Sequence, residues 1–282
     1  FVDLLDESER NIRQIVERCA ESPTTDEERK IGDLYRSFMN TERIEELGAT
    51  PMAEALALVD QMTSISELAA VLGALERKGT PSILGMWIGP DRGNPDRYIT
   101  HLVQAGISLP DESYYRDDQF SPVRDAHRAH IAAMLNLAGI DDAEARTVRI
   151  VELETLIAQA HWDRVACRDA NKTYNLTSRQ ELQELLSNFD WATWAEAASV
   201  PEAVLAETVV SQPSYFEGLN SLLVQDRLGQ WQDWLRWQIV HGAAPYLSDA
   251  FVDENFDFYG RTLSGTDELR PRWKRALSFA EG

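Results

Sequence analysis

Ile83-Leu84-Gly85-Met86-Trp87-Ile88-Gly89, then Pro90-Asp91-Arg92-Gly93-Asn94-Pro95-Asp96, then Tyr98-Ile99-Thr100-His101-Leu102-Val103 is the stretch that decides the fold class. Two runs rich in β-formers around a Gly/Pro/Asn loop predict a β-hairpin. It is the one convincing β element in the sequence. On both sides of it apolar residues recur at three and four, the period of a helix face. Upstream, Leu4, Leu5, Ile12, Ile15, Val16 and Cys19 form one stripe, and Ile31, Leu34, Tyr35 and Phe38 a second. Thr50-Pro51 opens another helix, and Ser64 or Ser66 caps the one carrying Leu68, Ala69, Leu72 and Leu75. Downstream, Val123, Ala126, His127, His130, Ile131, Met134 and Leu135 share a face. A long helix opens at Asp141-Asp142 with the face Ile150, Leu153, Leu156, Ile157 and Ala160. Others are expected from Tyr215 to Val224, Trp231 to Leu247 and Thr266 to Ala280. The expected class is all-α: an α-dominated helical domain with one small β-hairpin near residues 83–104. No internal repeat, low-complexity tract or interdomain linker interrupts residues 1–282.

Composition removes several functions. The 282 residues hold 27 Lys plus Arg against 47 Asp plus Glu, a formal net charge of −20. Such a chain lacks the electrostatic footprint of a nucleic-acid binder and is poorly suited to an anionic membrane surface. Eight Trp and 44% hydrophobic residues exclude a disordered acidic tail. No apolar run approaches the ~20 residues of a membrane span. Phe1-Val2-Asp3-Leu4-Leu5-Asp6-Glu7 has no basic region and no initiator Met, so it reads as a start inside a longer protein and not as a signal peptide. Cys19 and Cys167 form no Cys-x-x-Cys pair and are expected to be buried free thiols.

A catalytic constellation is hard to find. His101, His127, His130, His161 and His241 make no His-Glu-x-x-His motif. His127 and His130 are spaced for a shared metal, but they fall on an apolar stripe without a nearby carboxylate, which favours packing. Glu152 and Glu154 flank Leu153 and should point apart. Asp111-Glu112 and Asp117-Asp118 read as a solvated acidic loop without calcium-loop spacing. Gly-x-Ser-x-Gly and the phosphate-loop motif are absent. Gly85 and Gly89 flank a strand instead of opening a helix. Trp231, Trp234 and Trp237 read as a face packed on a core. Asn171-Lys172-Thr173 and Asn175-Leu176-Thr177 match the glycosylation sequon, which matters only in a secretory setting.

Several segments, in order, carry a family resemblance. They are Ile107-Ser108-Leu109-Pro110-Asp111-Glu112-Ser113-Tyr114-Tyr115; Val151-Glu152-Leu153-Glu154; Arg168-Asp169-Ala170-Asn171-Lys172-Thr173-Tyr174-Asn175; and Val209-Val210-Ser211-Gln212-Pro213-Ser214-Tyr215-Phe216. Trp234-Leu235-Arg236-Trp237, Ala244-Pro245-Tyr246-Leu247, Phe256-Asp257-Phe258-Tyr259-Gly260, Leu263-Ser264-Gly265 and Pro271-Arg272-Trp273-Lys274-Arg275 follow. Together they resemble the neprilysin-type zinc metallopeptidases, particularly their bacterial, mycobacterial-type members, over nearly the whole chain.

The resemblance implies the helical N-terminal, or lid, domain of such an enzyme. The family's zinc helix, second ligand helix and substrate-binding strand lie C-terminal to the Pro-Arg-Trp segment, so no zinc ligand or general base maps onto this sequence. It implies no cofactor in this chain and zinc in a catalytic domain beyond it. The implied partners are that C-terminal catalytic domain and small peptide substrates. Arg168, Asp169, Tyr174 and Asn175 are the candidates for the cavity or interdomain side, against a structural ion pair between Arg168 and Asp169. The functional expectation is a non-catalytic substrate-access domain of a zinc-dependent metalloendopeptidase, with a stand-alone helical protein-binding module as the alternative. A bacterial enzyme of this type is soluble and either cytoplasmic or released from the cell, and the sequence carries no signal that chooses between the two.

Overall fold

The computed structural model of the chain describes residues 2–281; Phe1, Gly282 and the side chain of Leu5 from the first stripe lie outside the described residues. The chain divides into two compact units, residues 1–50 with 244–282, and residues 51–243.

The smaller unit begins with α1 (Val2–Glu21), α2 (Asp26–Met39) and α3 (Thr41–Leu47). Thr25 ends the break after α1 and caps α2, its hydroxyl accepting the Glu28 N–H at 3.2 Å. Asp26, Glu27 and Glu28 fill the first turn, where the helix dipole favours negative charge. Val16, Tyr35 and Phe38 pack with Ala276 and Leu277 from the far end of the chain.

The larger unit follows. A 3₁₀ turn, Thr50–Met52, leads into α4 (Ala53–Asp60), so Pro51 does stand at a helix start. Ser64 and Glu67 form a capping box before α5 (Leu68–Glu76). The hairpin appears where expected, as β1 (Leu84–Asp91) and β2 (Asn94–Gln104). Next come α6 (Ser113–Arg116), α7 (Ser121–Leu137) and α8 (Ala143–Ala160). Asp142 sits just ahead of α8 in the left-handed region at φ 56°, so the helix begins at Ala143, just past the acidic pair expected in its first turn.

Two short strands join the hairpin. These are β3 (Leu176–Ser178) and β4 (Glu207–Val210), separated by α9 (Arg179–Leu185) and α10 (Trp191–Ala198). The sheet order is β1-β2-β4-β3, with β2 and β4 parallel and the other pairs antiparallel. The helix-dominated class therefore holds, but the hairpin is half of a four-stranded sheet. Strands of three and four residues show no usable periodicity, which is why the sequence did not reveal them.

The unit closes with α11 (Pro213–Asn220) and α12 (Leu228–Ala243). Trp231, Trp234 and Trp237 of α12 are fully buried. Each indole N–H is satisfied: by the Leu222 carbonyl at 2.9 Å, the Gly106 carbonyl at 3.2 Å and the Ser108 hydroxyl at 2.7 Å. The tryptophan face is core, as its spacing suggests. The helix ends short of Leu247 in a 3₁₀ turn, Ala244–Tyr246, containing Pro245, which lacks the N–H to continue it.

The smaller unit resumes with α13 (Asp249–Asn255), which runs into a π-helical segment, Phe256–Leu263. The last helix, α14 (Arg272–Glu281), begins after Pro271, six residues later than expected from Thr266.

Candidate functional site

The four candidate residues lie in the connection from α8 to β3. Tyr174 reaches the hairpin, and its hydroxyl donates to Asp91 Oδ1 at 2.7 Å. Asp91 is buried and also accepts the Gly93 N–H at 2.8 Å and Arg97 Nε at 2.8 Å. The Tyr174 hydrogen bond foremost, with Arg97 and the Gly93 amide, holds the Asp91 carboxyl down at about 2. Arg97 continues to Glu207 on β4 at 2.6 Å. Arg92 lies over the Tyr174 ring at 5.8 Å and donates to the Thr173 carbonyl at 3.1 Å. Gly93 lies beneath Tyr174: a Cβ there would fall 2.1 Å from the phenol oxygen, so the Tyr174 ring would have to shift.

Asn175 ties the same connection to the sheet. Its Nδ2 donates to the Lys172 carbonyl at 2.8 Å and the Val210 carbonyl at 3.0 Å, and its own carbonyl accepts the Val210 N–H at 2.9 Å. Asp169 closes the preceding turn by accepting the N–H groups of Asn171 and Lys172 at 3.0 and 3.3 Å. Arg168 is exposed, and no ion pair joins it to Asp169 among the described residues; the nearest cation to Asp169 is Lys172 at 4.0 Å. Tyr174 and Asn175 thus stand together at the sheet, whereas Arg168 stands apart from them.

Two clefts meet at Cys167 beside this cluster. One, of about 370 Å³, is lined by Trp87, Gly89, Arg92, His101, Val103 and Thr173 among others. The second, of about 250 Å³, runs past Gln104, Leu109, Asp111, Glu112, His161 and Arg164. Cys167 is free and half-buried, while Cys19 is free and fully buried, so only one of the two thiols is as enclosed as expected. Burial pushes the Cys167 thiol up, away from the thiolate that a nucleophile needs. A larger hollow of about 580 Å³, including Arg128, Val148, Glu152 and Arg227, lies away from this cluster.

The Leu-Pro…Tyr-Tyr motif has a structural cause. The Tyr115 hydroxyl accepts the N–H groups of Ser108 and Leu109 at 3.1 and 3.2 Å and donates to Glu154 Oε2 at 2.7 Å. Glu154 is fully buried, and that burial raises its carboxyl to about 7 against hydrogen bonds from Ser108 and Tyr115. Glu152, two residues earlier, is exposed, so the pair does point apart. The acidic loop is less solvated than its composition suggests: Glu112 is buried and pairs with Arg116 at 3.4 Å.

His127, His130 and His241 surround Trp237, with ring centroids 6.2, 5.6 and 5.2 Å from it. Burial lowers them to about 3, 4 and 4, which keeps the imidazoles neutral. Among the described residues no group of three or more His, Cys, Asp or Glu could hold a metal ion, so zinc does not fit here. No described helix is long and apolar enough to cross a membrane.

This helix-dominated chain, with its small braced sheet, matches the N-terminal part of a larger enzyme class, the metallopeptidases. The chain belongs to peptidase family M13, whose N-terminal model matches residues 1–282. It is 23% identical to guinea-pig (Cavia porcellus) endothelin-converting enzyme 1 over 295 residues, covering 100% of this chain and 39% of that relative. It is 25% identical to human membrane metallo-endopeptidase-like 1 over 310 residues, covering 99% of this chain and 39% of the relative. The zinc metalloprotease of Mycobacterium tuberculosis in its open state superposes with a TM-score of 0.94 at 40% identity, covering 100% of this chain and 44% of that one. Its inhibitor complex gives 0.95 at 40% identity with the same coverage. The chain thus spans well under half the length of the relatives it matches.

Proposed function

We propose that these residues form the non-catalytic lid, or substrate-access part, of a zinc-dependent metalloendopeptidase that cleaves small peptides. The observation that carries this is the match of the whole chain to the N-terminal region of a zinc metallopeptidase family of which it spans only about two fifths. The matching Mycobacterium tuberculosis enzyme is described in an open, a partial open and an inhibitor-bound state, as expected of a protein that admits substrate by opening. Arg168, Asp169, Tyr174 and Asn175 face the cavity or the catalytic domain in this reading. A lid of this kind selects substrates by size and excludes bulk water before any chemistry. Zinc and its ligands belong to the catalytic domain that follows, which is the partner of this chain. The enzyme acts in the cytoplasm or after release from the cell.

The test pairs two measurements. The 282-residue chain, with or without added zinc, cleaves no short peptide. The longer protein cleaves short peptides in a chelator-sensitive way and spares folded proteins. Chelator-sensitive cleavage by the 282-residue chain alone overturns its non-catalytic role, and equal cleavage of peptides and folded proteins by the longer protein overturns the access role.

A further inference from the structure

Strand β1 is an edge of the sheet, and its outer side is unpaired among the described residues. The hydrogen bonds of β2 show which of its residues face outward. The Gln104 N–H goes to Gln212 Oε1 at 3.1 Å and the Leu102 carbonyl accepts the Ser211 N–H at 2.9 Å, both on the β4 side. Their antiparallel partners on β1 are Leu84 and Met86. These residues, and Ile88 by the two-residue period, therefore turn their own N–H and C=O groups away from β2. Edge strands are usually guarded by charge, by brevity or by proline. This one is eight residues long and carries no charged side chain before Asp91, with Pro90 only near its end. Its side chains are open as well: Met86 is 38%, Trp87 49% and Ile88 59% exposed, and Tyr98 across from Pro90 is 75% exposed.

The cleft over the adjoining sheet face, lined by Trp87 and Gly89 of β1 and His101 and Val103 of β2, has its own electrostatic character. In a chain of net charge −20, the 370 Å³ cleft has no carboxylate in its lining and has Arg92 at its rim. Arg92 is exposed and uses Nη2 on Thr173, leaving its other N–H groups without a protein partner among the described residues. A strand-forming main chain with a negative group is the complement of this surface. We propose that the free edge of β1 takes up an extended peptide by strand addition, its main chain pairing with Met86 and Ile88 and a carboxylate of the peptide meeting Arg92. The proposal rests on the reading of this chain as a substrate-access domain and names the substrate form it admits. The carboxylate is either the peptide's C-terminus or an acidic side chain.

The probe is a fluorescein-labelled octapeptide of alternating threonine and valine ending in glutamate, titrated into the 282-residue chain by anisotropy with hydrogen exchange read on the same samples. Binding protects the Met86 and Ile88 amides. Methylating alternate peptide nitrogens, in whichever of the two registers faces β1, weakens binding at least tenfold. Arg92→Ala weakens it about threefold. Amidating the C-terminus, or replacing the glutamate by glutamine, reproduces the Arg92→Ala loss for whichever carboxylate is used. Ile88→Pro removes one outward N–H while sparing the β1–β2 ladder and also weakens binding; the methylated peptides make the same test on the unaltered chain. Absence of binding up to millimolar peptide, binding without protection at Met86 and Ile88, or protection that grows with protein concentration in the absence of peptide overturns the proposal, the last outcome assigning the edge to a second copy. In the longer protein, size selection of substrates that survives Ile88→Pro together with failed octapeptide binding overturns this inference alone; loss of size selection in the unaltered protein overturns the access reading.

Discussion

Glu154 and Asp91 are two buried carboxylates that the sequence places among many exposed ones, and their surroundings send them in opposite directions. Glu154 is raised to about 7 by burial, above the ordinary glutamate value of 4.5. Its protonated form is compatible with the fold, so the associated stability is fully present below about pH 4.5 and is lost as pH rises to about 7. Glu154→Gln removes that loss, so the stability difference between the variant and the parent moves in the variant's favour from pH 4.5 to 7, by an amount on the order of 3 kcal/mol. Melting curves of both proteins across that range check it, and a difference independent of pH refutes it. The buried histidines act in the reverse sense: lowered to about 3 to 4, they cost stability as pH falls below about 6.5, and they cancel in the comparison. Asp91, held at about 2, contributes stability above its ordinary 3.8 that is lost only as pH falls through 2. Tyr174→Phe removes the hydrogen bond that lowers it most. The expected result is a lower melting temperature, a raised Asp91 pKa by carboxyl NMR titration, and several-fold faster amide exchange at the hairpin tip. An unchanged Asp91 titration would show that Arg97 and Gly93 suffice.

At the scale of elements, close backbone approach matters as much as hydrophobic pattern. Gly73 on α5 has no room for a side chain: a Cβ would lie 2.5 Å from the Trp194 carbonyl oxygen and 2.9 Å from the Ala198 nitrogen of α10. Both obstacles are main chain, so the helices must part. Gly73→Ala is expected to destabilise the protein by roughly 1–3 kcal/mol in denaturant unfolding, despite the better helix propensity of alanine. A neutral or stabilising result would mean that α5 and α10 pack more loosely. Pattern reading located α1, α2, α5, α7 and α8 because each carries several apolar residues at helical spacing. It could not anticipate this glycine's role, since contact with α10 joins residues more than a hundred positions apart. Nor could it find β3 and β4: Leu176–Ser178 and Glu207–Val210 become strands because the parallel pairing with β2 and the Asn175 hydrogen bonds capture them.

For the whole molecule, the two units differ in how they depend on the chain. Residues 51–243 are continuous and close their own core around the α12 tryptophans. They are expected to fold alone, with cooperative thermal unfolding and near-native far-ultraviolet dichroism. Residues 1–50 alone are expected to remain largely unfolded, because Val16, Tyr35 and Phe38 need Ala276 and Leu277 to complete their cluster. Dichroism of the two fragments decides both points. Helix class, acidic character, the hairpin, the core role of the tryptophans and the family were all legible in residue order, because helix period, turn chemistry and motif spacing are local properties of a chain. The candidate site was legible only as a segment, from Arg168 to Asn175. That Tyr174 meets Asp91, that Asn175 meets Val210, that Arg168 stays apart, and that Glu154 is buried against Tyr115 were decided by tertiary structure. Each depends on which distant groups burial brings within hydrogen-bond reach, and desolvation then sets the charge they carry there.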